Sequence, residues 1–212
     1  MSFYSWLLGR PFVYDHLRPL VVGGVDAGPL YRKLGATERD VVLDVGCGTG
    51  DALRHLRAFA HYYGVDPDAT AVAHARGRFA RREGVSFRVG TVDAAMLAET
   101  APSLAVLSGV LHHLPDDQAL SLLSLLRTSK ELSRLVTMDI VYLDGQLLSN
   151  ALAWLDRGAF CRRREAYEAL ARRSGWFVRE SAVIRSHPTK GRALYLIMTL
   201  EPQGTDRERR SC

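Results

Sequence analysis

The fold is decided by residues 41–51, which read VVLDVGCGTGD. Apart from one aspartate, the first five residues are valine or leucine, which is typical of a strand buried on both faces. Glycine then occupies every second position, at Gly46, Gly48 and Gly50, so the backbone can bend sharply and a ligand can lie against the peptide groups. Residues 52–59 read as a helix whose free N-terminal amides would face the turn. This order predicts a nucleotide-type site at the carboxyl edge of a parallel sheet.

The spacing of the turn is D-x-G-x-G-x-G, with Asp44 before the first glycine. A dinucleotide fingerprint instead has the spacing G-x-G-x-x-G and binds a pyrophosphate. The stretch resembles the first motif of the class I S-adenosylmethionine-dependent methyltransferases, and this resemblance implies S-adenosylmethionine as the cofactor. A carboxylate at Asp44 suits a ligand that carries an ammonium and a sulfonium, and it would repel phosphate. The alternatives are a plain strand-to-helix turn of another α/β protein and a nicotinamide dehydrogenase.

A second acid, Asp66, ends the next predicted strand about 20 residues after Gly46, the distance at which a carboxylate meets ribose hydroxyls in nucleotide-binding folds. One carboxylate can accept a hydrogen bond from both vicinal hydroxyls. Pro67 stops this strand, and Asp68 is placed to cap a helix predicted for residues 69–82. The alternative is that Asp66 binds no ribose and only lies next to the residue that caps the helix.

Two further segments occur where the same family has its next motifs. After a predicted strand at 85–89, Val92 and Asp93 resemble the motif that binds adenine, although an aspartate here is also a normal helix cap. After a predicted strand at 104–108, residues 109–117 read GVLHHLPDD, a form common in small-molecule methyltransferases of this class. Enzymes that methylate the exocyclic amines of nucleic-acid bases usually carry Asn or Asp and then Pro-Pro-aromatic here, so that branch does not match.

Site residues are assigned from these motifs and from the aromatic N-terminal segment. The expected cofactor contacts are Tyr14, Asp44, Gly46, Cys47, Gly48, Asp66, Pro67, Val92, Asp93 and Ser108. His112 and His113 are the candidates for a general base, because imidazoles titrate near neutral pH and a hydroxyl acceptor must lose its proton as it attacks. A histidine pair can also be framework beside the cofactor. No metal site is expected.

The resemblance implies an α/β fold: a single-domain, Rossmann-like, seven-stranded sheet, mostly parallel, with an antiparallel seventh strand and helices on both faces. Residues 36–201 would form this domain. Residues 1–35, rich in aromatic side chains, are expected to be a helical lid over the cofactor and acceptor, or else to pack on the domain. An insertion at about 143–167 is expected to shape the acceptor pocket, and residues 202–212 form a polar tail.

The insertion is rich in arginine. Arg157, Arg162 and Arg163 could bind a carboxylate or phosphate of the acceptor, or they could form a solvated basic turn and helix start.

The composition is that of an ordinary globular protein: 212 residues, 47% hydrophobic and 24% charged, with a net charge of +5. Neither a membrane span nor a signal peptide is evident, and three scattered cysteines favour neither a disulfide framework nor a metal site. A cytoplasmic location follows as the default expectation. The basic residues are dispersed, so nucleic acid is not the expected partner, although a protein or RNA acceptor stays open.

These observations together predict methyl transfer from S-adenosylmethionine to a small molecule, at an oxygen atom of a bacterial metabolite. The alternative is a protein that binds S-adenosylmethionine but transfers no methyl group.

Overall fold

The structure is a computed structural model that describes residues 25–146, 150, 160–189 and 193–204. Tyr14, Arg157, most of the expected N-terminal lid and much of the expected insertion lie outside the described residues.

The described strands are β1 (Val41–Val45), β2 (His61–Asp66), β3 (Val85–Val89), β4 (Leu104–Ser108), β5 (Arg134–Tyr142), β6 (Arg162–Arg163), β7 (Trp176–Arg185) and β8 (Leu194–Pro202). Seven of them lie side by side in the order β3-β2-β1-β4-β5-β8-β7. The pairs from β3 to β5 are parallel, whereas β8 is antiparallel to both β5 and β7. The predicted seven-stranded sheet with an antiparallel seventh strand is confirmed; the short β6, which pairs with the end of β5, was not predicted.

The described helices are α1 (Gly28–Leu34), α2 (Ala69–Arg78), α3 (Ala94–Thr100), α4 (Asp116–Arg127) and α5 (Arg164–Arg173), with 3-10 turns at Asp51–Arg54 and Leu111–His113. Asp68 caps α2 by accepting hydrogen bonds from the amides of Thr70 and Ala71, as its position in the sequence predicts. Among the described helices, none is both long and apolar enough to cross a membrane.

Alternate residues of the central strands pack into two separate cores. Val42, Val106 and Val136 face one core together with residues of α1 and α2. Their sequence neighbours on the same strands face the other core, which contains residues of α3, α4 and α5. A strand buried on both faces reads as a continuous apolar run, which is why β1 and β4 were visible in the sequence.

The predicted helix at 52–59 is wrong. Only the 3-10 turn Asp51–Arg54 forms there, and the carbonyl oxygens of Leu53 and Leu56 accept hydrogen bonds from the guanidinium of Arg82, both at 2.7 Å. These bonds occupy carbonyls that a helix would give to its own amides. The helix predicted for 69–82 also ends earlier, at Arg78, and this leaves Arg82 free to reach back.

Candidate functional site

The glycine turn after β1 leaves its backbone open at one place. Gly46, Gly48 and Gly50 have φ values of 75°, 51° and 78°, which side chains other than glycine adopt only with strain. A Cβ atom on Gly46 would lie 2.6 Å from a methyl carbon of Val110, whereas one on Gly48 would meet nothing within 4 Å. The turn is therefore tightly packed at its first glycine and accessible to a ligand at its second.

Asp66 ties this turn to the start of α2. One carboxylate oxygen accepts a hydrogen bond from the Gly48 amide and the other from the Asp68 amide, each at 2.8 Å. The side chain is half-buried, and each carboxylate oxygen has a second lone pair. Asp66 can therefore keep the turn in place and still accept from two hydroxyl groups of a ligand.

Asp44 lies beneath the turn and is 2% exposed. The Tyr62 hydroxyl donates a hydrogen bond of 2.6 Å to it. Burial raises the pKa of Asp44 to about 7; the negative charge of Asp66 acts in the same direction, and the bond from Tyr62 acts against it. Burial, together with the nearby charges of Asp44 and Asp51, raises the pKa of Tyr31 on α1. The buried Asp44 thus has one neutral phenol, that of Tyr62, as its hydrogen-bond partner, a setting that favours a cationic ligand group.

The two histidines lie in different environments. The His112 side chain is completely buried and that of His113 is half-buried, with 4.1 Å between the ring centroids. One carboxylate oxygen of Asp139, near the carboxyl end of β5, accepts from the His112 backbone amide at 3.1 Å and lies 2.8 Å from His112 Nδ1. His112 Nε2 has no hydrogen-bond partner among the described residues.

The contact between Asp139 and Nδ1 determines which tautomer of His112 is favoured. A carboxylate beside Nδ1 favours the tautomer that carries its proton on Nδ1, which leaves a lone pair on Nε2. The ring carbon Cε1, which adjoins Nε2, lies 3.5 Å from the position of a Cβ atom built on Gly109. Because Cε1 is bonded to both ring nitrogens, this contact places the His112 ring beside the turn after β4, at the carboxyl edge of the sheet.

Comparison with known proteins identifies the fold. Residues 42–130 match a family model described as a methyltransferase domain. The chain resembles magnesium protoporphyrin IX methyltransferase from Synechocystis PCC 6803, solved with bound SAH, at a TM-score of 0.64 and 18% identity over 91% of this chain and 88% of that one. Residues 42–130 thus match a methyltransferase domain, and the chain has the fold of the class I S-adenosylmethionine-dependent methyltransferases. A methyltransferase from Methanosarcina mazei gives a TM-score of 0.64 at 14% identity, over 82% of this chain and 97% of that one.

The pyocyanin biosynthetic protein PhzM is also similar to this methyltransferase, with a TM-score of 0.67 and 19% identity. That match covers 95% of this chain but 62% of PhzM, less than two thirds of its length. No curated protein matched the chain.

The remaining expected cofactor residues of the methyltransferase lie along the same edge of the sheet. Val92 is buried, and Asp93 caps α3 by accepting from the Met96 amide at 2.7 Å. The predicted cap is confirmed, and the role of Asp93 towards adenine stays a prediction. Ser108 is half-buried at the end of β4, and Pro67 is exposed.

Cys47 is buried beside Gly64, and a Cβ atom on that glycine would come within 2.9 Å of its sulfur. Burial and the charges of Asp44 and Asp66 raise the pKa of the Cys47 thiol. This thiol is therefore not activated as a nucleophile, and only the backbone of Cys47 is suited to contact a ligand.

Of the three arginines that the sequence offers either as an anion site or as a solvated basic turn, the structure describes Arg162 and Arg163. Arg162 is buried and engaged by protein acceptors, so its proposed contact with an acceptor anion is wrong. Arg163 is exposed and paired with Asp144. Sequence reasoning missed Tyr31 and Tyr62, because an aromatic side chain in a helix or strand usually signals core packing.

The two glycines of the turn should respond differently to alanine. Gly46→Ala combines a strained φ with a clash and should destabilise the fold by about 3 kcal/mol. Gly48→Ala has space for its methyl group and should lower the free energy of unfolding by only about 1 kcal/mol. That methyl group would, however, lie where a ligand approaches. Urea unfolding and calorimetry with S-adenosylhomocysteine would measure both effects. Unchanged affinity in Gly48→Ala would show that the ligand does not lie against this peptide.

Asp44 should make the stability of the methyltransferase fall as the pH rises. Its pKa is raised from an ordinary value near 3.9 to about 7 in the folded state. Below pH 4 the carboxyl group is protonated in both the folded and the unfolded protein. Above pH 4 the unfolded protein loses this proton first, so the free energy of unfolding falls as the pH rises through 7. The full effect is on the order of 4 kcal/mol.

Asp44→Asn should remove this loss, since the amide stays neutral and can still accept from Tyr62. Urea unfolding of both proteins at pH 5 and pH 8 should show a larger gain for Asp44→Asn at pH 8. A stability difference independent of pH would mean that Asp44 titrates normally.

Proposed function

We propose that this methyltransferase transfers the methyl group of S-adenosylmethionine to an oxygen atom of a small bacterial metabolite. The observation that carries the choice of oxygen is the buried contact between Asp139 and His112, which leaves Nε2 free to accept a proton. Transfer to a hydroxyl or an acidic carbon needs a base, whereas transfer to a thiol or a free amine does not.

The cofactor site would be built on the crevice above the glycine turn. Asp66 would accept hydrogen bonds from the ribose hydroxyls, and Val92 and Asp93 would contact adenine. The open face of Gly48 would lie against the methionyl part, with Asp44 below it as the counter-charge for a cation. These residues fit a ligand that combines vicinal hydroxyls with positive charge, and they offer no site for a pyrophosphate.

S-adenosylmethionine supplies an electrophilic methyl group on a sulfonium. His112 Nε2 would accept the proton of the acceptor hydroxyl as that oxygen receives the methyl group and the sulfonium becomes a neutral thioether. Asp139 stabilises the resulting imidazolium and holds the ring in position, as a carboxylate does in other His-Asp pairs. The burial of His112 excludes water from the reacting atoms.

The N-terminal segment would form one wall of the acceptor site. The Asp26 amide donates a hydrogen bond of 2.6 Å to the Ser186 carbonyl, and Ser186 follows β7, which runs in the same direction as β5. Residue 26 is thus held at the carboxyl edge, where the cofactor crevice opens, and this supports a lid formed by the residues that precede it. Tyr14 is our candidate for cofactor contact within that lid.

Two proteins of similar structure are named after small molecules, magnesium protoporphyrin IX and pyocyanin. These names support a small-molecule acceptor but do not identify which molecule it is. The rival function is binding of S-adenosylmethionine without transfer, because no side chain of this fold is indispensable for the transfer itself.

The test is incubation of the purified protein with methyl-labelled S-adenosylmethionine and a metabolite extract. We expect label in a small molecule, and mass spectrometry with NMR should place the methyl group on oxygen. Tight binding with no label in any product would favour the rival function. A methyl group on nitrogen or carbon would overturn the choice of oxygen.

A further inference from the structure

Arg162 is buried at the point where the chain returns from the insertion, with 8% of its surface exposed. An arginine has five N–H donors in a planar fork and cannot lose its charge. Here every donor group has an acceptor within 3 Å. Nε and Nη2 both donate to the Asp116 carboxylate. Nη1 donates to the Leu111 and Phe160 carbonyls, and Nη2 also donates to the Leu114 carbonyl. No N–H is left over for a substrate.

The acceptors of Arg162 belong to the turn that carries the histidines. Leu111 and Leu114 stand at the two ends of the segment that contains His112 and His113. The Phe160 amide in addition donates to the His112 carbonyl at 3.1 Å. The peptide groups on both sides of His112 are therefore held by the returning chain.

The ring of His112 is fixed from the opposite direction by β5. Asp139 accepts from both the backbone amide and Nδ1 of this histidine. β5 also holds the returning chain, since Val141 pairs with Arg162 in a parallel register. The Tyr167 ring lies 5.6 Å from the guanidinium carbon, and its hydroxyl donates to the Ile140 carbonyl at 3.0 Å.

We propose that Arg162 is a positioning residue for methyl transfer: it fixes the 111–114 turn so that the His112 ring keeps its contact with Asp139 and its Nε2 faces the acceptor. This assignment rests on the proposed role of His112 as the base. It links the end of the acceptor insertion to the base through one side chain. Asp116 accepts two of its hydrogen bonds through a single carboxylate oxygen.

Lysine should not replace Arg162, because an ammonium is a point charge with three donors and cannot bind carbonyls on two sides and a carboxylate at once. A misplacement of about 1 Å can lower turnover about a hundredfold. Arg162→Lys should therefore lower turnover at least tenfold, while Asp66, whose partners are the Gly48 and Asp68 amides, keeps its place and S-adenosylhomocysteine still binds.

The test uses Arg162→Lys, Asp116→Asn and a matched control, Arg163→Gln. The Asp116 side chain is 69% exposed, so Asp116→Asn should fold even if the loss of Arg162 does not permit folding. Arg163 also makes an ion pair, at 2.6 Å, but it is 62% exposed and its partner is Asp144. The side-chain ¹⁵N spectrum of the histidines, recorded on the complex with S-adenosylhomocysteine, reports the tautomer of His112 without any acceptor.

We expect wild type and Arg163→Gln to show one Nδ1-protonated histidine assignable to His112. Arg162→Lys should show a mixture of tautomers and Asp116→Asn a smaller change, with affinity for S-adenosylhomocysteine within about twofold of wild type. Lower thermal stability with an unchanged His112 spectrum in both variants would overturn the proposal and leave Arg162 a purely structural residue. Failure of the proposed function would be distinct, because it would appear as absence of label transfer by the wild type.

Discussion

Asp66→Ala should weaken binding of S-adenosylhomocysteine by about 3 kcal/mol, roughly a hundredfold. The substitution removes the carboxylate that we place on the ribose hydroxyls, and hydrogen bonds to a charged group contribute about 1.5–3 kcal/mol each. It also leaves the Gly48 amide without its present acceptor, so the open part of the turn loses its support. Calorimetric titration with S-adenosylhomocysteine would measure the loss.

Asp68→Ala is the matched control for this substitution. Asp68 caps α2 only two residues away and accepts from the amides of Thr70 and Ala71. Its loss should lower stability by about 1 kcal/mol and leave the affinity nearly unchanged. Equal losses of affinity in the two variants would mean that Asp66 acts through the helix start and that the ribose lies elsewhere.

Asp139→Asn should lower turnover of a hydroxyl acceptor by about 10²- to 10⁴-fold. An asparagine side chain can present its NH₂ group to His112 Nδ1, which would reverse the tautomer and place the proton on Nε2. The base would then be blocked although the ring stays in place. Initial rates with labelled S-adenosylmethionine, on the acceptor found in the metabolite screen, would measure the effect.

His112→Gln and His113→Gln separate the two histidines in the same assay. His112 contacts the Asp139 carboxylate through Nδ1, so His112→Gln should lose activity to a similar extent as Asp139→Asn. His113→Gln should retain most of it. Full activity in both histidine variants would contradict a histidine base.

The strands could be predicted from sequence because each one carries its own signal. β1 and β4 are short apolar runs, and Asp66 with Pro67 marks the end of β2. The bounds of β1, β3 and β4 and the end of β2 agree with the prediction. The antiparallel position of the last strand followed from the family resemblance.

The errors arise where long-range contacts override local pattern. The apolar spacing of residues 52–59 suits a helix, but the guanidinium of Arg82, far along the chain, binds two of its carbonyls. Arg162 appeared to be a surface cation because nothing in its neighbourhood in sequence reveals acceptors some 50 positions away. The pairing of Asp139 with His112 depends on β4 and β5 being adjacent, which no local pattern in the sequence shows.

The central claim is that the crevice above the glycine turn binds the adenosyl cofactor. A crystal structure of the protein grown with excess S-adenosylhomocysteine tests it most directly. We predict the ribose hydroxyls on Asp66, the adenine beside Val92 and Asp93, and the sulfur over the Gly46–Gly48 backbone. A structure in which side chains fill that crevice, or in which the ligand binds in another place, would contradict it.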